Sequence, residues 1–178
     1  MDSWIVTLFS VFILLILALT IVLFHASNMR KAVKAEWQNL WLLLYNRHNL
    51  LPNFLETFKS FFPDQKVILA EIIELKNKAA YIKNASTEKF RAELELSLKL
   101  SDVAQLCNGS KAILVDTNFL GLRQEFKENT LKIEEEMNVY NKKVRSFNAF
   151  LEKFYLKPLV LIFRLKREQI FEFEAGII

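Results

Sequence analysis

The strongest constraint on this chain is an uninterrupted apolar run close to its start. Residues 4–24 read WIVTLFSVFILLILALTIVLF and include no charged residue, glycine or proline. A helix of about 21 residues is about 31 Å long, enough to cross the roughly 30 Å hydrocarbon core of a bilayer. The run therefore predicts a transmembrane anchor. The anchor positions are Trp4, Leu8, Phe12, Leu15, Ala18 and Phe24.

A cleaved signal peptide is the alternative interpretation of the same run. It fits less well, because no basic residue precedes the run and no small-residue cleavage site follows it. The run is also longer than the about 7–15 residues of a signal-peptide core. Arg30, Lys31 and Lys34 come directly afterwards, and basic flanks stay in the cytoplasm. The expected topology has the N-terminus outside and the remaining chain in the cytoplasm.

The composition argues against several classes of activity. Three glycines and three prolines are too few for the turns of an all-β protein. A single cysteine, Cys107, excludes a disulfide framework, and His25 and His48 are too far apart to share a metal ion. The sequence contains no phosphate-binding loop, dinucleotide-binding glycine pattern, HExxH or GxSxG motif. We therefore expect no enzyme, with no catalytic residues, no metal and no cofactor.

The charge balance is mildly basic after the apolar run. Asp2 is the one charged residue among the first 29, so the rest of the chain carries all 24 basic and 19 of the 20 acidic side chains. Such a small, interleaved excess suits a domain that lies near an anionic membrane surface. It is far from the basic stripe of a nucleic-acid binder, so the expected partner is a lipid bilayer and not a nucleic acid.

Apolar residues beyond the run recur at spacings of three and four, the pattern of amphipathic helices. A first stripe passes through Trp37 towards Pro52, which either kinks one long helix or starts a new one. Further helices are predicted over 64–83 and 87–106. Alternating leucines in the second also fit a strand, but its Ala, Glu, Leu and Lys content favours a helix.

The longest stripe runs from Phe119 to Phe154, and Pro158 is expected to end its helix. A single helix cannot bury such a stripe alone. The predicted fold is therefore all-α, with a single N-terminal transmembrane helix followed by an antiparallel bundle of about four long helices. The predicted segments are 1–29 with the anchor, 30–158 with the bundle, and 159–178 with an apolar and basic C-terminal stretch.

Two stretches of the sequence carry a set of motifs in order. Residues 47–59, RHNLLPNFLETFK, are similar to the signature R-x-D-L-I-P-N-L-V-E-T-V-K, and residues 118–172 follow an N-F-L, Y-N, F-P-N-N and Y-F-E-A order. Together they resemble the LemA family of bacterial membrane-anchored proteins. The chain departs from the family at Asn49, where an aspartate is usual, and at residues 155–157, which replace P-N-N. The matching candidate interaction residues are Trp37, Arg47, Pro52, Asn53, Glu56, Tyr140, Asn141, Phe147, Asn148, Phe171 and Glu172.

The resemblance implies a location and an architecture more than an activity. It implies a single-pass protein of the bacterial inner membrane whose helical bundle lies in the cytoplasm. The molecular activity of the family is not established. Some members participate in building magnetosome membranes, and others are encoded beside membrane zinc proteases. An unknown protein partner is therefore expected, with a membrane zinc protease as one alternative and a second copy of the chain as another.

Two polar motifs each have two interpretations. Pro52-Asn53 with Glu56 forms either a recognition spot at a bend, or a kink at which Asn53 satisfies a freed backbone group. Asn141 and Asn148 lie seven residues apart beside the aromatic stripe. They bond either to a partner helix or to helices of the same bundle, where asparagines set the register.

The C-terminal stretch combines the apolar residues 159–163 with basic flanks. It lies either on a lipid surface as an amphipathic segment or on the open end of the bundle, with the basic side chains around it. The candidate membrane-surface contacts are Lys153, Lys157, Arg164, Lys166 and Arg167.

Three functional hypotheses follow from the sequence and the resemblance. The first is a non-enzymatic, membrane-anchored interaction or scaffold protein. The second is an accessory subunit of a membrane protease or quality-control complex, and the third is a membrane-remodelling protein that acts through its C-terminal stretch.

Overall fold

The structure, a computed structural model, describes residues 3–172 apart from the side chain of Phe154. Residues 1–2 and 173–178, the ends of the first and last predicted segments, lie outside the described residues. Five helices follow one another, and the described residues include no strand, so the all-α prediction is confirmed. The helices are α1 (Ser3–Phe61), α2 (Lys66–Tyr81), α3 (Thr87–Asn108), α4 (Thr117–Leu151) and α5 (Lys157–Ile162).

The first part of α1 is long and apolar enough to cross a membrane, and no residue of its most apolar stretch is buried inside the protein. Its hydroxyl groups are satisfied within the helix. Ser10 Oγ donates to the Val6 carbonyl at 2.8 Å, and Thr20 Oγ1 donates to the Ile16 carbonyl at 2.8 Å. Because these hydroxyl groups donate to carbonyls of their own helix, they need no hydrogen bond to water, which is absent from the hydrocarbon core of a membrane.

Helix α1 continues through Pro52 to Phe61, so the alternative of one long helix is correct and no new helix starts there. Proline removes one backbone hydrogen bond from a helix interior. The continuity is explained by packing on both sides of Pro52, because the side chains of Leu51, Phe54 and Phe58 are fully buried.

The remaining boundaries show one clear correction. Helix α4 ends at Leu151, not at Pro158. Lys153 N donates to the carbonyl of Phe150, three residues earlier, at 3.3 Å, and this 3₁₀-type hydrogen bond closes the last turn. Pro158 instead lies in the first turn of α5, where a missing N–H has no consequence. The strand alternative for residues 87–106 is wrong, and the Ser86 hydroxyl caps α3 by accepting from Lys89 N at 3.2 Å.

The chain divides into two compact units. The anchor unit comprises residues 3–35 and 143–168, and the core unit comprises residues 36–142 and 169–172 of the described chain. Buried side chains of the anchor unit include those of Val33, Val144, Phe147 and Leu156. The core unit contains the main hydrophobic core, to which α1, α2, α3 and α4 all contribute. Its fully buried members include Phe54, Phe58, Ile72, Leu96 and Phe119.

Contacts within the core unit show that neighbouring helices run antiparallel. Lys78 of α2 pairs with Glu95 of α3 at 2.9 Å, whereas the earlier Glu71 pairs with the later Lys99 at 2.8 Å. Helices α1 and α4 show the same descending order. The ring of Trp37 lies 5.8 Å from that of Tyr140, and the ring of Phe54 lies 5.3 Å from that of Phe126. The predicted antiparallel bundle of four long helices is therefore confirmed.

Candidate functional site

A group of four charged or titratable side chains is buried inside the core unit; we call Arg47, His48, Lys89 and Glu93 the buried charged centre. Glu93 of α3 has no exposed surface. Its Oε2 accepts from Arg47 Nη2 at 2.5 Å and lies 3.2 Å from His48 Nε2, both on α1. Its Oε1 lies 2.6 Å from Lys89 Nζ. One carboxylate thus balances the cations of two helices.

Neighbouring polar groups complete this centre. Arg47 Nη1 donates to Ser97 Oγ at 2.9 Å, and Lys89 Nζ donates to the carbonyl of Ala79 in α2 at 2.7 Å. Burial opposes ionisation of Glu93, but the Arg47 guanidinium, together with His48 and Lys89, outweighs it and holds the pKa of Glu93 well below its usual range. The carboxylate is therefore ionised and sealed from solvent. Through Arg47, His48 and Lys89, the buried charged centre joins α1, α2 and α3.

Arg47 was a candidate interaction residue in the sequence, and the structure places it in this buried centre, not on a surface. Lys89 and Glu93 were missed by the sequence reasoning. Their signal was weak: Lys89, Glu93 and Ser97 recur at steps of four on α3, but a charged stripe of that kind is usually solvated.

The asparagine side chains that the sequence singled out bond to an extended segment, not to a helix. In the anchor unit, Asn148 Nδ2 donates to the Glu168 carbonyl at 2.8 Å, and Asn148 Oδ1 accepts from Glu168 N at 3.0 Å. One amide thereby satisfies both backbone groups of one residue. Asn148 therefore bonds neither to a partner helix nor to another helix of the bundle, but to the backbone of the C-terminal segment of the same chain.

The core unit repeats this arrangement at Asn141. Its Nδ2 donates to the Phe171 carbonyl at 2.7 Å, and its Oδ1 accepts from Phe171 N at 2.8 Å. Tyr140 Oη donates to the Gln169 carbonyl at 2.9 Å, and the buried Phe171 ring lies 4.5 Å from that of Phe90. These signature residues therefore fix the position of residues 169–171.

The remaining signature residues have structural or surface positions. Trp37 is buried, and its Nε1 donates to the Lys83 carbonyl at 3.0 Å. Phe147 is buried in the anchor unit, and Glu172 is exposed. Pro52, Asn53 and Glu56 are exposed on α1, and the Asn53 carbonyl accepts from Thr57 Oγ1 at 3.0 Å.

A groove opens in the core unit beside Pro52. It lies between α1 and α2 and encloses about 730 Å³. Its floor is apolar, and one acidic and three basic side chains surround it. The lining residues are Leu51, Pro52, Leu55, Glu56, Lys59, Lys66, Leu69, Ala70, Ile73 and Lys76. We call it the α1–α2 groove.

Residues 159–163 are covered only in part by the rest of the described chain. Leu161 and Ile162 are 80% and 70% exposed, although Leu159 and Val160 are half-buried. Lys153, Lys157, Arg164, Lys166 and Arg167 are all exposed. Arg164 has a φ of 49°, and Leu165 N donates to the Val160 carbonyl at 3.0 Å, so the chain leaves α5 through a left-handed turn.

Two further titratable groups have shifted pKa values. Burial raises the pKa of Glu136, and a hydrogen bond with Glu36 raises it further, while Asn39 opposes the shift. Burial also raises the pKa of the Cys107 thiol to about 11, although the charge of Arg123 opposes this. Within residues 3–172, no three or more His, Cys, Asp or Glu side chains are arranged to hold a metal ion.

These features define an all-α protein with an N-terminal helix of membrane-spanning length, an antiparallel helical bundle, and a charged centre that is sealed from solvent. The chain belongs to the LemA family, because the model of that family matches residues 36–176. The resemblance seen in the sequence is thereby confirmed. No curated protein is significantly similar to the chain in sequence.

Proposed function

We propose that the protein is a non-enzymatic interaction protein of the bacterial inner membrane, anchored by α1, whose cytoplasmic bundle holds a partner protein through the α1–α2 groove. The observation that carries this proposal is the groove itself. It contains two of the signature positions, Pro52 and Glu56, which are exposed, whereas most of the other signature side chains are buried within the protein.

The exposed apolar surface of α1 supports the membrane anchor. Trp4, Leu8 and Phe12 are each about 60% exposed. A continuous exposed apolar surface of this kind is unfavourable in water and is rare on soluble monomers. Arg30, Lys31 and Lys34 follow the apolar run. By the positive-inside rule, this flank favours the cytoplasmic side for the residues that come after it.

The chemistry of the α1–α2 groove indicates the kind of partner. Apolar side chains such as Leu69 and Ile73 suit the apolar face of an amphipathic helix. Lys59, Lys66 and Lys76 outnumber Glu56 at its edge, so the partner segment is expected to carry acidic residues beside its apolar ones. The same groove would also suit an accessory subunit of a membrane protease. The scaffold role and the accessory-subunit role differ in which partner protein the groove binds.

Site-specific photocrosslinking in native membranes tests this proposal. A photoreactive residue at Ile73, which lines the groove, is compared with one at Tyr81, which lies on α2 outside the lining. We expect a discrete crosslinked partner from Ile73 and not from Tyr81. We also expect its yield to fall in the double variant Lys59→Glu and Lys66→Glu and to persist in Lys132→Glu, a control on exposed α4 surface.

The identity of the crosslinked species separates the alternatives. A membrane protease at Ile73 would support the accessory-subunit role, and a second copy of the chain would support a self-assembling scaffold. Equal crosslinking from Ile73 and Tyr81, or no effect of the charge reversal, would refute the groove as the binding site.

A further inference from the structure

The end of α4 is held beside the point where the apolar run of α1 ends. Both parts belong to the anchor unit. The ring of Phe150 lies 5.0 Å from that of His25, edge to face, and His25 directly follows Phe24, the last residue of the run. Arg30 Nε lies 2.9 Å from Glu168 Oε1. The segment 150–168 therefore contacts α1 at both of its ends, next to the point where the apolar run ends.

An apolar patch lies on this part of the anchor unit. Leu161, Ile162 and Phe163 are 80%, 70% and 44% exposed. Leu161 and Ile162 are the last residues of α5, Phe163 follows the helix directly, and the left-handed turn at Arg164 comes next. These three consecutive large apolar side chains, which the described residues leave 44–80% exposed, favour another apolar environment.

The charges around the patch indicate which environment that is. Residues 152–168 carry five basic and two acidic side chains. Both acids are already paired within the unit, Glu152 with Arg167 at 3.1 Å and Glu168 with Arg30 at 2.9 Å. Lys153, Lys157 and Lys166 remain exposed beside the apolar patch. An apolar patch with basic surroundings matches the acyl boundary and anionic headgroups of a membrane surface.

We infer that residues 157–167 form a second membrane contact, in which Leu161, Ile162 and Phe163 enter the interface of the leaflet while the basic side chains bind its anionic headgroups. The inference rests on the proposed function insofar as α1 must cross the bilayer. It goes beyond the anchor, because the bilayer then fixes the anchor unit at two points and restricts its rotation and tilt.

Depth-dependent fluorescence quenching in the full-length protein tests this contact. Single cysteines at Ile21, Ala35 and Leu161 are labelled with an environment-sensitive fluorophore and reconstituted in vesicles of phosphatidylcholine with phosphatidylglycerol. Cys107 is buried, and the unsubstituted chain serves as the control for background labelling. Quenching is then measured with a lipid that carries a nitroxide near the top of its acyl chain.

The three positions are matched, because all are exposed and all lie in the anchor unit. Ile21 reports the span, and Ala35 lies about 15 Å along α1 beyond His25, on the aqueous side. We expect strong quenching at Ile21 and Leu161 and little at Ala35. Quenching at Ile21 without quenching at Leu161 would overturn the second contact and leave the anchor intact. Absence of quenching at Ile21 would refute the anchor and the second contact together.

The charge requirement is tested with the same label at Leu161. A basic residue near an anionic surface changes the partition of a segment by about fivefold. Lys157→Glu with Lys166→Glu is therefore expected to lower the quenching, and pure phosphatidylcholine is expected to do the same. Lys143→Glu, two turns before Phe150 on exposed α4 surface, is the control and is expected to have little effect. A blue-shifted label that is not quenched in either lipid would mean that protein covers the patch, which would overturn the inference.

Discussion

Glu93→Gln is the substitution whose effect follows most directly from the structure. The change keeps the size of the side chain but removes the negative charge that lies 2.5 Å from Arg47 and 2.6 Å from Lys89. Both cations are almost completely buried and cannot exchange this partner for water. Removal of one member of a buried ion pair typically costs about 3–5 kcal/mol. We expect a loss of this size in the free energy of unfolding.

Glu95→Gln is the matched control. Glu95 lies on the same helix, two residues further, and also faces two cations, Lys78 at 2.9 Å and Arg91 at 3.1 Å. Its side chain is one-third exposed, so water screens and replaces these pairs. Exposed ion pairs contribute at most about 1 kcal/mol. The two substitutions are chemically identical and differ mainly in burial.

Urea denaturation of the full-length protein in detergent micelles, followed by circular dichroism and tryptophan emission, measures both variants. For a slope of about 2 kcal/mol per molar urea, a loss of about 4 kcal/mol lowers the midpoint by about 2 M. Glu95→Gln is expected to lower it by less than about 0.5 M. Equal midpoints for the two variants would refute the reasoning that the buried charged centre stabilises the fold.

The pH dependence gives an independent test of the same centre. The pKa of Glu93 in the folded protein lies well below the 4.5 of an ordinary glutamate, because of Arg47, His48 and Lys89. A lowered pKa contributes stability that is fully present above the unfolded pKa and is lost as pH falls below it towards the folded pKa. The wild type should therefore lose stability below about pH 4.5, and the difference from Glu93→Gln should shrink there.

Three further predictions concern single positions. Asn141→Leu removes both bonds to the Phe171 backbone, so unfolding should become easier by about 2–4 kcal/mol, measured by urea denaturation. Cys107 has its pKa raised to about 11 by burial, so at pH 8 it should react with a maleimide far more slowly than the exposed Val67→Cys in the same chain, measured by mass shift. Arg164→Gly relieves a left-handed conformation with φ of 49° and should stabilise the protein by about 0.5–1 kcal/mol in thermal unfolding.

The helices could be predicted from the sequence because their signal is local. Spacings of three and four identified the bundle helices, and Ser86 marked the start of α3. The end of α4 was misplaced at Pro158, because apolar spacing continues beyond Leu151 although the chain has already turned. At Pro52 the local pattern allowed either outcome, and burial of Leu51 and Phe54 through long-range packing decided it.

The candidate site was harder to predict, because its contacts join distant parts of the chain. Glu93 is 46 residues from Arg47, and a glutamate in an amphipathic helix, here between Ala92 and Leu94, is usually solvated. Asn141 and Asn148 were identified as important, but their partners lie in an extended segment whose sequence has no periodicity. The apolar and basic character of residues 157–167 was visible in the sequence. The contacts of the flanking Phe150 with His25 and of Glu168 with Arg30 needed the structure.

The most direct test of the central claim, a membrane-anchored protein with a cytoplasmic bundle, is the sidedness of a single cysteine in cells. Val67→Cys lies on exposed α2 surface. We expect the protein to stay in carbonate-washed membranes, and we expect a membrane-impermeant maleimide to label Val67→Cys only after the inner membrane is opened. Labelling in intact spheroplasts would contradict the cytoplasmic location of the bundle, and release by carbonate would contradict the anchor.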